Sequence, residues 1–399
     1  MKICFITSSI FNHGGIQRVL SILANRLSLN YQVDILCTDD RLAENREIYN
    51  LSPEINVELN SDLMSNNIIH RIISKAGRVI NNKTGLLNNK HLITILRKSY
   101  CSDKIQHKFI KYLNDKEYDL VIGVEGDYSL LVGIIAERLR AKTIGWQHNS
   151  YDAYFKTQNR YYWNQDELYK NYIKKLDQYI VLTDYDKEMF KKNMQLDVTR
   201  IYNPLSFVSK NKSKCSSKNI LFVGRLVEKQ KGLDFLIESF KKVVSKKTDW
   251  KLIIVGDGPD KQKLMDLIIE SKLEENVEIV PFTSEVEQYY LNSSILISTS
   301  RWEGFGLVIT EAMECGLPVI AFSNSGPKEI INKPNENGIL VPCGDCDELA
   351  KKMVDLIEDE EKRNRIASQA IVRAKDFSII KIYGEWDKML HNMIRSEET

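Results

Sequence analysis

The amino-acid sequence predicts an α/β protein with two domains, each built around a parallel sheet. Short apolar runs alternate with amphipathic helical runs through most of the 399 residues, and this alternation is typical of repeated βα units. One series of units begins at residues 3–7 and a second begins at residues 219–224. A chain of this length also exceeds the size of most single hydrophobic cores, so two domains are expected.

The predicted strands follow the apolar runs in order. In the first series they span residues 3–7, 32–37, 120–124, 142–146 and 179–182, and in the second series residues 219–224, 251–255, 277–280, 295–298 and 318–321. The first helix of each series has apolar residues at helical spacing. These residues are Ile16, Val19, Leu20, Leu23, Ala24 and Leu27 in one helix, and Leu233, Leu236, Ile237, Phe240, Val243 and Val244 in the other.

A polar, Ser/Lys-rich segment at residues 203–218 separates the two series and is the best candidate for a linker. We therefore predict an N-terminal domain over residues 1–205 and a C-terminal domain over residues 206–376. The last segment, residues 377–396, is an amphipathic helix that we expect to pack back on the first domain. This organisation predicts two Rossmann-like domains that face each other across a cleft.

Composition and charge restrict the class of protein. A formal net charge of +2 disfavours a protein that coats a polyanion, so no nucleic-acid partner is expected. The apolar run at residues 3–7 is too short for a secretory signal, and the longest other run, residues 130–136, is far shorter than a membrane span. The seven cysteines, an odd number, fit a reducing compartment. We expect a cytoplasmic protein.

A pair of cysteines at Cys343 and Cys346 has the C-x-x-C spacing. No second C-x-x-C or nearby His pair accompanies it, and no thioredoxin-like unit surrounds it, so a metal or redox site is not predicted. Asp345 and Asp347 imitate a metal-binding D-x-D, but Asp347 directly precedes a helical run and is better explained as a helix cap.

A basic segment at residues 68–114 contains ten Lys and Arg residues and a single acid, Asp103. An apolar stripe runs along it, and three cations lie off that stripe. The stripe is Ile68, Ile69, Ile72, Ile73, Ala76, Val79 and Ile80, and the cations are Arg71, Lys75 and Arg78. Two interpretations remain open: an amphipathic helix that rests on an anionic membrane surface, or a core-packed helix with a solvated basic face.

Two segments that follow strands have residues suited to phosphate. Gly14 and Gly15 lie between the first strand and the first helix, where backbone N–H groups can approach an anion, although glycine pairs also simply turn a chain. Arg225 and Lys231 follow the first strand of the second series, at the sheet edge where ligands bind in such folds. Arg can bind a phosphate through two hydrogen bonds and Lys through a point charge, and both stabilise a diphosphate leaving group. Exposed loop cations are, however, often only solvated.

The run from Glu303 to Glu311 is more specific. Two glycines follow Glu303, and an apolar helical stretch then leads to Glu311. Carboxylates at these positions suit sugar and ribose hydroxyls, because a carboxylate accepts two hydrogen bonds from neighbouring OH groups. Alternatively, Glu303 is a charge favoured by the helix dipole and Glu311 an ordinary helix residue.

This run resembles the E-x7-E motif of retaining GT-B glycosyltransferases, particularly those of family 4. The resemblance covers nearly the whole chain, since further motifs follow in the same order. They are Gly14-Gly15, residues 223–226 with 231–232, residues 255–259, Ser300, residues 311–320, residues 326–329 and residues 337–341. The resemblance implies a GT-B fold and transfer of a sugar from a nucleotide donor with retention at the anomeric carbon.

The resemblance also implies roles for individual residues. Glu303 would hold the transferred sugar and His148 would contact it near the reacting centre, so these two are the catalytic candidates. Glu311 would hold the ribose, and Glu125 and Asp127 would bind acceptor hydroxyls. The donor site would further include Gly14, Gly15, Arg225, Lys231, Phe282, Gly304, Phe305, Gly306 and Leu307.

The function implied is transfer of a hexose or N-acetylhexosamine, from a UDP-sugar, to a lipid-linked or polysaccharide acceptor in capsule, exopolysaccharide or cell-wall synthesis. Neither a metal nor another cofactor is expected, because cations and helix dipoles take the role that a metal has in other transferases. The enzyme would lie in the cytoplasm or on the inner face of the membrane. The alternative is a non-catalytic GT-B subunit that stabilises a partner transferase.

Overall fold

The computed structural model describes residues 1–395 and divides into two compact units. The first unit consists of Met1–Pro204 and the last helix of the chain, and the second consists of Leu205–Ser378. Each is described separately below. Within the described residues, no helix is long and apolar enough to cross a membrane.

The first unit has a seven-stranded sheet in which every pair of neighbours is parallel. Its strands are β1 (Lys2–Thr7), β2 (Gln32–Cys37), β3 (Asn56–Leu59), β4 (Leu120–Val124), β5 (Lys142–Trp146), β6 (Gln178–Val181) and β7 (Thr199–Arg200). Its helices before residue 205 are α1 (Gly15–Leu27), α2 (Ile68–Thr84), α3 (Ile93–Tyr100), α4 (Asp103–Asp115), α5 (Glu125–Ile135), α6 (Tyr151–Lys156), α7 (Asp166–Ile173) and α8 (Asp184–Met194). The strand order is β3-β2-β1-β4-β5-β6-β7.

The second unit has a six-stranded parallel sheet of order β10-β9-β8-β11-β12-β13. Its strands are β8 (Asn219–Val223), β9 (Lys251–Val255), β10 (Val277–Val280), β11 (Ile295–Ser298), β12 (Val319–Phe322) and β13 (Ile339–Val341). Its helices are α9 (Glu228–Lys231), α10 (Leu233–Val244), α11 (Lys261–Glu270), α12 (Glu287–Leu291), α13 (Leu307–Glu314), α14 (Ser325–Ile330), α15 (Cys346–Glu358) and α16 (Glu360–Ala374). The two predicted parallel sheets are therefore confirmed.

The strand order determines where ligands can bind in each unit. The sheet grows outward in both directions from a central pair of strands, which is β1 and β4 in the first unit and β8 and β11 in the second. The loops that leave the carboxyl ends of such a pair diverge to opposite faces of the sheet, and the crevice between them is the usual ligand site of parallel α/β sheets. Each unit thus has one such crevice.

The last helix, α17 (Ile379–Arg395), belongs to the first unit. Trp386 is fully buried and meets the Trp146 ring edge-on, with 5.0 Å between ring centroids. The Tyr31 hydroxyl donates a hydrogen bond of 2.7 Å to Asp387. These contacts anchor α17 to β5 and to the loop after α1 through both apolar and polar groups. Residue 396, the end of the predicted helix, lies outside the described residues.

The segment after residue 204 is not a free linker, which corrects the interpretation of residues 203–218. The Ser209 N–H and the Lys212 ammonium both reach one carboxylate oxygen of Glu314, at 3.1 and 2.7 Å. Further along, the Arg363 guanidinium donates to the Cys215 carbonyl at 2.9 Å. The polar residues that suggested a linker are thus hydrogen-bond partners of charged groups on α13 and α16.

Candidate functional site

The crevice of the second unit begins with the loop after β8. The Gly224 N–H donates to the Val255 carbonyl, and a Cβ atom on Gly256 would lie only 1.9 Å from the Gly224 carbonyl oxygen. The loops after β8 and β9 are therefore in backbone contact, which only glycine allows. Arg225 follows, exposed to solvent, and forms no ion pair with any residue in the described part of the chain. Arg225 is therefore an uncompensated cation at the carboxyl end of the central strand β8.

The loops after β8 and β11 meet at this sheet edge, where Lys231 and Glu303 form an ion pair. Lys231 ends α9, and the next residue, Gly232, has a left-handed backbone with φ of 62°. A Cβ atom there would lie 2.2 Å from the Thr299 carbonyl oxygen, so a side chain would clash as well as strain the turn. The Thr299 hydroxyl in turn donates to the Lys231 carbonyl at 2.8 Å. The loops after β8 and β11 are thereby joined.

The Glu303 carboxylate uses only one of its oxygens within the protein. The Lys231 Nζ lies 2.5 Å from Glu303 Oε2, and the Ser300 hydroxyl donates to the same oxygen at 3.1 Å. No residue in the described chain donates to Oε1. Both side chains are mostly buried, at 15% and 17% exposed, so the pair is held in one arrangement. The Oε1 atom of Glu303 is left available to accept a hydrogen bond from a ligand.

The start of α13 contributes its backbone. Gly306 has φ of 109°, a conformation that favours glycine, and it precedes the first helical residue, Leu307. First-turn N–H groups lack partners within a helix and attract anions. Phe305, one of the predicted donor-site residues, has its side chain buried against Phe377, with 5.5 Å between ring centroids. The Phe305 ring therefore packs in the core. Gly304–Leu307 can contact a ligand only through atoms other than this ring.

Glu311 lies deeper than the sequence suggested. It is 1% exposed on α13, and its two oxygens accept hydrogen bonds from the Ser206 hydroxyl at 2.5 Å and the Tyr290 hydroxyl at 2.7 Å. Tyr290 is itself fully buried. Sequence reasoning missed both hydroxyl partners, because they lie 105 and 21 residues from Glu311 and neither belongs to a motif.

Phe282 is placed after β10, at the same edge of the sheet. Its side chain is 46% exposed, and its N–H donates to the Asp257 carboxylate at 3.2 Å. Asp257 follows β9, which lies between β10 and the central strand β8. The exposed ring is suited to stacking on a planar group, and Asp257 is a further polar candidate that the sequence analysis did not single out.

In the first unit, the two predicted glycines precede α1. The Gly14 N–H donates to the Tyr49 hydroxyl at 2.8 Å, while Gly15 is exposed as the first helical residue. Gly14 has an extended backbone that any residue can adopt. Of the pair, Gly15 is thus better placed to present a main-chain N–H to an anion.

His148 follows β5 and stacks obliquely on Trp146, with 4.3 Å between ring centroids. Desolvation lowers the pKa of His148 from 6.5 to about 3, so the imidazole is neutral near pH 7. Its Nε2 atom is buried without a hydrogen-bond partner among the described residues. A buried, unpartnered ring nitrogen is a polar group that a ligand hydroxyl could satisfy.

Glu125 and Asp127 lie directly after β4, in the first turn of α5 rather than in the strand itself. Glu125 has a left-handed backbone with φ of 70°, a conformation that costs a non-glycine residue about 1 kcal/mol or more. Desolvation, and then the Asp127 charge, raise the pKa of Glu125 from 4.5 to about 7. Both residues line a cavity of about 470 Å³ together with Tyr162.

The structure groups the predicted residues by unit. Arg225, Lys231 and Glu303 meet at the central strands of the second sheet, with Glu311 and Phe282 on either side. Gly15 and Glu125 follow the two central strands of the first sheet, and His148 follows the adjacent strand β5. Cys343 and Cys346 are both free thiols. Asp345, not Asp347, caps α15 by accepting from the Glu348 N–H, which corrects the predicted cap.

Two parallel-sheet units, each with polar groups at its central strands, have the architecture of the GT-B class, and the comparisons with known proteins give the activity of that class. An uncharacterized glycosyltransferase of Haemophilus influenzae is 30% identical over 298 residues, which are 74% of this chain and 82% of the relative. In Campylobacter jejuni, an N-acetylgalactosaminyltransferase whose name describes a diphospho-undecaprenol-linked glycan acceptor is 26% identical over 398 residues, 98% of each chain.

A solved structure shows the same fold. HepE from Anabaena in complex with UDP superposes with a TM-score of 0.73 at 20% identity, over 98% of this chain and all of that one. The family description "glycosyl transferases group 1" matches residues 207–373. The chain belongs to the glycosyl transferases group 1 family and is a glycosyltransferase.

Proposed function

We propose that this enzyme transfers a hexose or N-acetylhexosamine from a UDP-sugar to a hydroxyl of a lipid-linked or polysaccharide acceptor, with retention at the anomeric carbon, as in family 4. The observation that carries the proposal is the Lys231–Glu303 ion pair, held at the central strands beside the uncompensated Arg225. A nucleotide sugar presents two phosphates and several hydroxyls, and this cluster offers two cations and a free carboxylate oxygen.

Each residue has a role in this proposal. Arg225 and Lys231 bind the diphosphate, helped by N–H groups at Gly15 and at Gly306–Leu307. The free oxygen of Glu303 accepts a hydroxyl of the transferred sugar. Glu311 accepts a ribose hydroxyl, which requires Ser206 or Tyr290 to give up one of its hydrogen bonds or to share it. Phe282 lies by the base, and the neutral His148 contacts the transferred sugar.

In the reaction that we propose, the acceptor oxygen attacks the anomeric carbon from the side of the leaving group. The bond from that carbon to the diphosphate oxygen breaks, the bond to the acceptor oxygen forms, and the departing diphosphate takes the acceptor proton. The cations stabilise the charge that develops on the diphosphate. No metal or other cofactor takes part in this proposal, and no protein nucleophile is required.

The setting that we propose is the cytoplasmic face of the membrane, in the synthesis of a capsule, exopolysaccharide or cell-wall glycan. The Campylobacter relative is named for an undecaprenyl-linked acceptor, and HepE was solved with UDP. The basic segment at residues 68–114 supports contact with an anionic surface. We retain the domain boundaries predicted at residues 205 and 376 as part of this proposal.

A panel of nucleotide sugars tests the function directly. The purified enzyme is incubated with each UDP-, GDP- and ADP-sugar together with a lipid-linked glycan acceptor. Released nucleotide is measured, and the proton NMR coupling of the new anomeric centre is read from the glycosylated acceptor. We expect turnover with a UDP-sugar and product of the same anomeric configuration as the donor. Inverted product would refute the mechanism, and no binding of any nucleotide sugar would refute the proposed function.

A further inference from the structure

The helical turn α9, which carries Lys231, is held in place by residues outside it. It consists of four residues, Glu228–Lys231, and so short a helix is not stable alone because its first turn is costly to form. Three of its four main-chain carbonyls accept hydrogen bonds from the loop that follows β11. One of the donors is the Thr299 hydroxyl, and the other two donors belong to Arg301.

Arg301 binds α9 through both its main chain and its side chain. Its N–H donates to the Gln230 carbonyl at 2.8 Å, and its guanidinium donates to the Glu228 carbonyl at 2.9 Å. The Gly232 N–H, which closes the turn, donates to the same Glu228 carbonyl at 2.8 Å. Arginine side chains commonly donate to carbonyls at the end of a helix in this way. Arg301 therefore fixes the backbone from which Lys231 projects.

The remaining partners of Arg301 belong to α10. The Asp234 carboxylate accepts from the guanidinium at 2.5 Å, and the guanidinium carbon lies 4.1 Å from the centroid of the Phe235 ring. The Phe235 ring in turn meets the Phe322 ring edge-on, with 5.6 Å between centroids. A planar guanidinium can stack on a ring and donate at its edge at the same time, which an ammonium cannot do.

These contacts distinguish Arg301 from Arg225. Arg225 has no ion-pair partner among the described residues, whereas the Arg301 guanidinium already has a carbonyl, a carboxylate and a ring. A phosphate that bound Arg301 through two hydrogen bonds would compete with Asp234 and with the Glu228 carbonyl. The guanidinium of Arg301 is therefore placed to hold groups of the protein itself.

Arg301 is also linked to Glu303, which follows two residues later in the same loop. Ser300, directly before Arg301, donates its hydroxyl to Glu303 at 3.1 Å, and its carbonyl accepts from the Asn324 amide at 2.8 Å. Arg301 thus holds one member of the Lys231–Glu303 pair through α9 and the other through the loop. A displacement of about 1 Å in such a group can lower a rate by about 100-fold.

We propose that Arg301 is a positioning residue for glycosyl transfer. It holds α9 against the loop after β11, so that the Lys231 ammonium stays beside Glu303 and in place for the donor diphosphate. Asp234 supports this role because it keeps the guanidinium oriented toward the Glu228 carbonyl. The inference rests on the proposed function, in which Lys231 binds the diphosphate.

The test compares two arginines of the second unit, each replaced by methionine in the full-length protein. Arg363→Met is the matched control, because the Arg363 guanidinium also donates to main-chain carbonyls, those of Leu356 in the last turn of α15 and Cys215, at 2.6 and 2.9 Å. Cys215 precedes β8, so this arginine lies toward the amino end of that strand, whereas Arg301 follows the carboxyl end of β11.

We expect Arg301→Met to raise the dissociation constant of UDP, measured by calorimetry, by about tenfold, because Lys231 is no longer held in place. The kcat at saturating donor should fall as well, because the same ammonium stabilises the departing diphosphate. Arg363→Met should lower the Tm but change the UDP dissociation constant by less than about twofold. Arg301→Lys should recover the Tm more fully than the UDP affinity, because an ammonium can pair with Asp234 but cannot also reach the Glu228 carbonyl.

A double-mutant cycle separates positioning from a merely structural role. In a Lys231→Ala background, Arg301→Met should weaken UDP binding by less than about twofold, because both substitutions remove the same contribution. Hydrogen exchange of residues 228–232, followed by mass spectrometry, should become faster in Arg301→Met and stay unchanged in Arg363→Met. The N–H groups of this turn lose their protection when α9 opens.

Several results would overturn the inference. Equal losses of UDP affinity in Arg301→Met and Arg363→Met would show general destabilisation, and full additivity with Lys231→Ala would show that Arg301 does not act through Lys231. Unchanged exchange of residues 228–232 in Arg301→Met would show that α9 forms without the guanidinium. If wild-type protein binds no UDP but Arg301→Met still speeds this exchange, the proposed function fails while the hold of Arg301 on α9 stands.

Discussion

The Lys231–Glu303 cluster of the second unit and three cations on α2 of the first unit, Arg71, Lys75 and Arg78 (the cation row), differ in how their charges are compensated. In the second unit, Lys231 and Glu303 are paired and mostly buried, and both oxygens of Glu311 already accept hydrogen bonds. In the first unit, the cations of α2 are exposed and unpaired among the described residues. The cluster in the second unit is ordered before a ligand binds. The exposed cations in the first unit attract an anion without fixing its position.

This difference has an energetic consequence. Groups that are held in place and partly desolvated interact strongly with a ligand, because little reorganisation accompanies binding and the local dielectric is low. Exposed cations act through a field that salt screens over about 8–10 Å. We therefore expect single substitutions to have large effects in the second unit and graded, salt-dependent effects in the first. The predictions below test that contrast, beginning with the largest effect.

Substitution Glu303→Gln should have the largest effect. The amide keeps the volume but removes the charge that Lys231 pairs with and weakens acceptance from a sugar hydroxyl. We expect kcat to fall by about 100-fold or more, the size of effect seen when one preorganised charge-stabilising group is lost. The affinity for UDP, which has no transferred sugar, should change by only a few-fold. Steady-state kinetics and calorimetry measure the two quantities.

The control for Glu303 is Glu275→Gln, an exposed carboxylate of the same unit away from the crevice. It should leave kcat unchanged. Turnover of Glu303→Gln within a few-fold of wild type would show that the carboxylate does not act on the transferred sugar, and the assignment of the cluster would then be wrong.

The sheets of both units could be predicted from sequence because their central strands are continuous apolar runs. The strands β1, β4, β8 and β11 need no alternation, since both of their faces are covered. The strands that were missed are β3, β7 and β13, which have only four, two and three residues and lie at sheet edges. Edge strands of two to four residues carry little pattern, although β10, also a four-residue edge strand, was predicted.

The site was predictable to the extent that it follows strand ends. Arg225 and Glu303 both follow central strands, so the sheet brings them together, whatever the sequence separation. The partners of Glu311 could not be predicted, because Ser206 lies in a segment whose composition indicated a linker. The orientation of α2 could not be predicted either. Its hydrophobic pattern left two interpretations open, a stripe on a membrane surface or a stripe packed in the core. The tight contact at Gly77 and the hydrogen bonds of Asn81 decide which face is buried.

Substitution Arg225→Ala tests the uncompensated cation of the second unit. If Arg225 binds phosphate as we propose, its removal should weaken UDP affinity by about tenfold to 100-fold, the range for a charge-assisted, bidentate contact. Arg225→Lys should recover only part of the loss, because the ammonium cannot form the same pair of hydrogen bonds. Calorimetry with UDP measures both variants.

Lys229→Ala is the matched control, since this exposed cation lies four residues from Arg225, on α9. It should weaken UDP binding by less than about twofold. A similar loss in both variants would show that the loop attracts UDP through net charge alone, and the contrast between an organised and a diffuse surface would not hold.

The smallest expected effect concerns Glu125, whose pKa is raised from 4.5 to about 7 in the folded protein. The folded state holds this proton more tightly than the unfolded state does, so the stabilisation is fully present below pH 4.5 and is lost as the pH rises to about 7. Glu125→Gln removes the titration. The variant should therefore have the same Tm as wild type near pH 4.5. At pH 8 its Tm should be a few degrees higher, which corresponds to about 1–2 kcal/mol in the free energy of unfolding.

Thermal unfolding followed by circular dichroism at several pH values measures this difference, with Glu188→Gln, an exposed carboxylate of the same unit, as the control. His148 acts in the opposite direction, since its lowered pKa removes stability as the pH falls from 6.5 to about 3. It is present in both proteins, so it cancels when variant and wild type are compared at one pH. A Tm difference that does not change with pH would show that Glu125 is solvated. The cavity that it lines with Lys75 and Arg78 would then lack a desolvated carboxylate.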